Sequence, residues 1–167
     1  MSLLVDKFRR DRTHCMTLIQ HAPDPNKVEG LSVFEEACHN ATSVEAIEYM
    51  RNTSEALVLT DERGNVIDVN KPWEYLCGYT FADIKGKTCS ILQGPRTEKS
   101  VIRSLSDTTR GGNAVRRTVT NYKKCGMEFA NNVTILPLDV EPVNKGKPAF
   151  VARLYDAVTN AQRAETT

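Results

Sequence analysis

With 22 basic against 21 acidic side chains over 167 residues, the chain has a net charge of +1 and no field that would gather nucleic acid or a membrane surface. Its length suits one domain with an appendage, no apolar run is long enough to cross a bilayer, and "MSLLVDKFRRDRTH" carries charges where a secretory signal needs apolar residues, so a cytoplasmic protein is expected. Five cysteines without a C-x-x-C pair, and histidines only at His14, His21 and His39, point to neither a disulfide framework nor a metal site.

Residues 1–52 read as a helical extension. A short amphipathic segment carries Leu3, Leu4 and Phe8, and "HAPDPNKVEG" breaks it with two prolines and a glycine. "SVFEEACHNA" and "TSVEAIEYMRN" then read as helices, the second capped by Thr42 or Ser43 with Val44, Ile47 and Met50 as its apolar stripe. That stripe needs a cover, either the following domain or a second copy of the chain.

From Glu55 the pattern becomes that of a compact α+β unit over residues 53–157, followed by a short tail, 158–167. "EALVLTD" and "NVIDV" are strands joined through Gly64. Asn70 caps a helix with Pro72 in its first turn, Trp73, Leu76 and Cys77 inward and Gly78 at its end. Thr80 opens another short helix, and "GKTCSILQGP" follows. Thr97 is expected to cap "EKSVIRSLSDTTR", with Val101, Ile102 and Leu105 inward. Three strands, "AVRRTVTNY", "EFANNVTILPL" and "PAFVARLYDA", complete the order, the first two joined by the hairpin "KKCG". This predicts a five-stranded antiparallel sheet with short helices on one face, enclosing a pocket, and water on the other.

Alternation along the late strands puts Val115, Arg117, Val119 and Asn121 on one inward face and Phe129, Asn131, Val133 and Ile135 on the next. A buried amide left unpaired costs about 1 to 3 kcal/mol, so Asn121 and Asn131 each need a partner. Each can be satisfied by a neighbouring strand or a water, but two on adjoining strands suit a bound molecule whose flat edge alternates donors and acceptors. Cys89 taken alone reads as a small buried hydrophobe, with no neighbouring base to make it a nucleophile. Cys77 on a helix face and Cys125 in an exposed turn read the same way as ordinary thiols.

"GKTCSILQGP", then "TEKSVIRSL" and "NYKKCGMEFANN", resemble the cysteine-bearing signature and downstream strands of LOV domains, a flavin-binding, blue-light-sensing branch of the PAS fold; the resemblance runs from about Glu55 to Asp156. It implies a PAS-like sheet, a non-covalently held flavin, usually FMN, and a reversible light-driven bond between Cys89 and flavin C4a. The implied contacts are Gln93 and Thr88 at the ribityl or phosphate end, Asn121 and Asn131 at the pyrimidine edge, and Leu92, Val133, Ile135 and Leu154 on the walls, with Ile91 beside Leu92.

The sequence departs from that pattern in three ways, the first being Thr88 in the place of the asparagine usual before the cysteine, although its hydroxyl can still meet the ribityl chain. The two usual phosphate-binding arginines are Ser90 and Ser106, which opens the site to riboflavin or FAD. Arg103, with Lys99 and Arg110 at helical spacing, is either a relocated cation or part of an ordinary solvated face. The glutamine usual on the last strand is Leu154, so a change at the flavin is expected to pass through Asn131 or an ordered water to the sheet and the N-terminal helices. With no effector expected in the chain, output is assigned to a homodimer contact through those helices or the outer sheet face, and the effector is unknown. No enzyme activity is expected. The competing readings are a non-photochemical PAS sensor of redox state or a metabolite, and a thiol enzyme for which no base can be assigned.

Overall fold

The computed structural model describes residues 33–39, 41–138 and 149–157. The helix expected within residues 1–20 and the tail 158–167 lie outside them. The elements run α1 (Val33–Cys38), α2 (Ser43–Asn52), β1 (Ala56–Thr60), β2 (Val66–Val69), α3 (Lys71–Cys77), α4 (Phe81–Ile84), a 3-10 turn (Cys89–Leu92), α5 (Lys99–Arg110), β3 (Val115–Tyr122), β4 (Glu128–Pro137) and β5 (Phe150–Asp156). The five strands form one sheet in the order β2-β1-β5-β4-β3, with every neighbouring pair antiparallel. β5, last in the chain, therefore lies at the centre.

One expectation is overturned: the outer face is covered over β1, β5 and β4, while Arg116 and Thr118 of the edge strand β3 stay exposed. Alternate strand residues enter two separate cores. Ala56, Val58, Val133, Ala152 and Leu154 pack with Trp73, Cys77, Ile84, Leu92 and Leu105 from the helices between β2 and β3. Leu57, Leu59, Leu136 and Val151 pack instead with Phe34 and Cys38 of α1 and Ala46, Tyr49 and Met50 of α2. β1 is accordingly apolar and buried from Ala56 to Leu59, with half-buried Thr60 at its end, the signature of a strand buried on both sides.

α1 and α2 thus share a core with the sheet and occupy its outer face over β1, β5 and β4, one of the two places expected to meet a second copy. The apolar stripe of α2 also differs from the sequence reading. Val44 is 69% exposed, and Ala46, Tyr49 and Met50 are the buried residues, because the apolar ring of Tyr49 turns the inward stripe toward itself. Thr42 caps α2 as expected, accepting from the Glu45 amide while the Glu45 carboxylate accepts from the Thr42 amide.

Asn70 does more than cap α3. Its Oδ1 accepts from the amides of Trp73 and Leu57, and its Nδ2 donates to the carbonyls of Glu55 and Met50. One side chain thereby joins the end of α2, the start of β1 and the first turn of α3. Thr97 corrects another expectation. α5 is capped at Glu98 without a side-chain bond, while Thr97 Oγ1 accepts from Gly94 N at 2.9 Å and donates to Thr120 O at 2.7 Å. Thr97 is spent on tying the segment after the 3-10 turn to β3, and Glu98 reinforces it by accepting from the amide and hydroxyl of Thr120.

Gly94 sits in this tie with Tyr122 against it. A Cβ there would lie 2.3 Å from two ring carbons of Tyr122, well inside any real contact. Tyr122 is itself fixed, because its hydroxyl accepts from the Arg96 amide and donates to Glu128. Gly94→Ala is therefore expected to destabilise the fold by about 1 to 3 kcal/mol, the usual range for overpacking, read by urea unfolding. A variant as stable as the parent would mean that Tyr122 moves freely.

Candidate functional site

Between the inner sheet face, the 3-10 turn and α5 lies a cavity of about 580 Å³, a size ordinary for a small-molecule site. Its interior is apolar, built from Val58, Leu92, Val119, Val133, Ile135 and Leu154. The strands supply all of these but Leu92, which comes from the 3-10 turn, and α5 supplies Ile102, Leu105, Ser106, Thr109 and Arg110, a stripe at helical spacing.

Cys89 lines the cavity from the first residue of the 3-10 turn, which Thr88 caps by accepting from the Ser90 amide. Burial pushes its thiol up to about 12, so the sulfur stays protonated and inert across the neutral range. Cys77 is also pushed up by burial, and secondarily by Cys89, within the inner core. Cys125 is exposed.

Asn121 and Asn131 meet in the cavity wall, where Asn131 Nδ2 donates to Asn121 Oδ1 at 2.8 Å. Asn121 Nδ2 turns back to the carbonyl of Thr120. Asn131 is 2% exposed, yet its Oδ1 has no hydrogen-bond partner among the described residues. A buried acceptor of this kind costs about 1 to 3 kcal/mol until something donates to it. The amide pair thus presents an unused acceptor beside an apolar slot, with a thiol in the same lining. That donor set fits a flat heteroaromatic ring carrying an N–H at its edge.

Of the residues singled out in the sequence, Thr88, Cys89, Leu92, Gln93, Asn121, Asn131, Val133, Ile135 and Leu154 all line this one cavity. Arg103 does not. It is exposed and falls outside the stripe of α5 that faces the cavity, so helical spacing alone misassigned it. Lys99 likewise lies outside the lining and contacts Gln93 Oε1 at 3.4 Å. Ile91 packs against the inner core and is absent from the lining. The sequence reading missed Arg63 in the β1–β2 turn, and it placed Arg110 on the face of Arg103 without giving it a role at the site. Both line the cavity. No local signal marks a turn arginine as a site residue, because its position follows only from the register of β1 on β2.

Among the described residues there is no cluster of metal-binding side chains, and no helix is long and apolar enough to cross a membrane.

Residues 54–152 match the PAS domain family. A blue-light-activated histidine kinase of Brucella anthropi is 30% identical over 118 residues, which cover 69% of this chain and 23% of the kinase. A blue-light photoreceptor of Listeria innocua is 30% identical over 89 residues, covering 52% of this chain and 35% of that protein. Among solved structures, the LOV domain of the Erythrobacter litoralis EL346 blue-light activated histidine kinase superposes with a TM-score of 0.54 at 26% identity, covering 62% of this chain and 95% of that domain. The chain spans less than a quarter of the Brucella kinase's length.

Proposed function

The chain belongs to the PAS domain family as a LOV domain, related to blue-light photoreceptors, and from that premise we propose that it is a cytoplasmic blue-light sensor holding a flavin in the cavity beside Cys89. The observation that carries this reading is the conjunction in one apolar cavity of a protonated thiol and the unpaired Asn131 Oδ1. When bound, the flavin would supply absorption of blue light and an electrophilic carbon available only in its excited state.

The chain's own residues do the rest. Asn131 and Asn121 hold the ring's polar edge, and Leu92, Val133, Ile135 and Leu154 exclude water from its faces. Gln93 and Thr88 meet the polyol end. Cys89 keeps its proton in darkness because burial disfavours the thiolate, so reaction waits for light. The role is sensory, with no catalysis assigned to the chain. The purified protein is expected to be yellow, to bleach under blue light and to recover in darkness, as followed by its visible spectrum. A colourless protein would refute flavin binding.

Leu154 favours one competing reading. Lacking the amide that would follow the flavin's protonation, this chain suits a flavin-bound PAS sensor without photochemistry. That protein would be yellow and would not bleach.

Asn131→Leu separates the amide's two consequences. Leucine removes an unsatisfied buried acceptor but also takes away the donor to Asn121 Oδ1, so the two effects on the flavin-free chain oppose and its stability should shift by under about 1 kcal/mol, while flavin affinity falls roughly tenfold or more, about 1.4 kcal/mol per decade. Fluorescence titration with FMN and urea unfolding read the two. Undiminished affinity would remove Asn131 from the ring's edge.

Output is assigned to α1 and α2 through the central strand. Ala152 and Leu154 of β5 face the cavity, and Val151 and Arg153 between and beside them face the N-terminal helices. Arg153 stacks its guanidinium 5.1 Å from the centre of the Phe34 ring on α1, and its Nη1 donates to Glu55 at 2.9 Å. Tyr49 of α2 donates to the same carboxylate at 2.6 Å. A shift of β5 at Leu154 thus reaches both helices through one residue's neighbour.

A further inference from the structure

The cavity lining changes character between its depth and its mouth. The buried residues are apolar apart from the asparagine pair, whereas the exposed lining residues include Thr88 and Ser90 with the charged Glu62, Arg63 and Arg110. Half-buried Thr60, Ser106 and Thr109 add hydroxyl groups to the lining.

Two cations line this cavity, and they come from separate parts of the chain. Arg63 sits in the β1–β2 turn. Asp61 shapes that turn by accepting from the amides of Arg63 and Asn65, and an Asn65–Thr88 bridge fastens it to the residue before Cys89. Arg110 ends α5, one helical turn beyond Ser106. Neither guanidinium makes a hydrogen bond or close ion pair among the described residues, in contrast to Arg96, Arg116 and Arg153, which are each paired to a glutamate. A helix dipole accounts for an arginine in the last turn of α5, but not for a second one brought to the same cavity by a hairpin turn.

Resting on the reading that the cavity holds a flavin, we infer that Arg63 and Arg110 form a clamp for the flavin's 5′-phosphate and make the site selective for a phosphorylated flavin over riboflavin. The hydroxyl groups of the lining suit the ribityl chain between ring and phosphate. Two guanidinium groups give charge-assisted, forked donors that a phosphate can engage from two sides. Glu62 offsets part of their charge, leaving +1 among the charged lining residues, so the preference is salt-sensitive and finite.

The test is titration of the full chain, freed of flavin, with riboflavin, FMN and FAD at low and high salt, read by flavin fluorescence. FMN and FAD are expected to bind at least about tenfold more tightly than riboflavin at low salt, with the gap narrowing as salt rises. Arg63→Ala/Arg110→Ala should close the gap while riboflavin affinity stays constant, and Arg103→Ala should leave the gap intact. Both FMN and FAD carry the 5′-phosphate, so either order between them supports the clamp. Equal binding of riboflavin and FMN by the parent chain, or a preference that survives the double variant or disappears in Arg103→Ala, would overturn it. Failure of all three flavins to bind would instead overturn the flavin reading on which the clamp rests.

Discussion

Cys89→Ala is expected to purify yellow and to stay yellow under blue light, with the light-induced bleaching abolished. Cys89 lines the cavity without hydrogen-bonding to the asparagine pair, so its loss removes the reacting sulfur and leaves the ring's edge contacts in place. The substitution is small. Serine at the same position tests whether polarity suffices, and it should behave as alanine does, because a hydroxyl lacks the polarizable, intrinsically nucleophilic sulfur. Cys77→Ala is the matched control. It removes another buried thiol from the same inner core, lies outside the cavity lining, and should preserve bleaching. If Cys89→Ala bleached and recovered like the parent, the sulfur would have no part in the response.

Glu55→Ala is expected to produce the largest stability loss outside the cavity. Glu55 stands between α2 and β1 and holds three groups: the Arg153 guanidinium, the Tyr49 hydroxyl and, through its carbonyl, Asn70. The Arg153 side chain is 11% exposed and that of Glu55 29%, so removing the carboxylate leaves a nearly buried cation without its counter-charge. Breaking a fully buried pair costs about 3 to 5 kcal/mol; partial exposure of Glu55 lowers this to about 2 to 3 kcal/mol. Thermal unfolding should fall by roughly 5 to 10 °C. Pairing the change with Arg153→Met should restore much of the loss, because the stranded charge is gone and an apolar chain fills the space. Hydrogen exchange should show α2 opening more often in Glu55→Ala than in the parent. A single variant with unchanged stability would remove this network from the attachment of α1 and α2, and with it the proposed route of output.

The outer core explains why that attachment was hard to read beforehand. Ala46, Tyr49 and Met50 face the sheet and Val44 faces out, whereas a count of aliphatic residues at helical spacing favours Val44. Tyr49 changes the answer because its ring is apolar and its hydroxyl has Glu55 to bond. Burial beside that carboxylate also pushes the phenol well above its ordinary range, which keeps it a donor. The cavity walls were far more legible. Strand alternation selects Val119, Asn121, Asn131, Val133 and Ile135, which line the cavity, together with Val115, Arg117 and Phe129, which do not, Arg117 being exposed on the edge strand; the same period applied to β5 selects Phe150, Ala152 and Leu154, all of which line it.

Helical spacing located the α5 stripe through Ile102 and Leu105 but not which cation accompanies it. Arg103 and Arg110 both lie within one or two turns of Ser106, and only the docking angle of the helix on the sheet decides between them. Arg63 lay beyond any local rule, since a turn arginine gains a role only when register and turn geometry bring it to a cavity built elsewhere. Thr97 shows the opposite failure. A threonine just before a helix has the chemistry of a cap, and here the competing bonds to Gly94 and Thr120 win because they fix the loop that carries Cys89 to β3.

The most direct measurement is the light-minus-dark infrared spectrum of the full chain in the S–H stretching region, recorded alongside the visible band and repeated with Cys89→Ala. A protonated Cys89 that bonds to flavin on illumination must lose its S–H absorption as the visible band bleaches and regain it as the colour returns, with neither change in the variant. Bleaching and recovery with the S–H band untouched, or equally present in Cys89→Ala, would contradict the account.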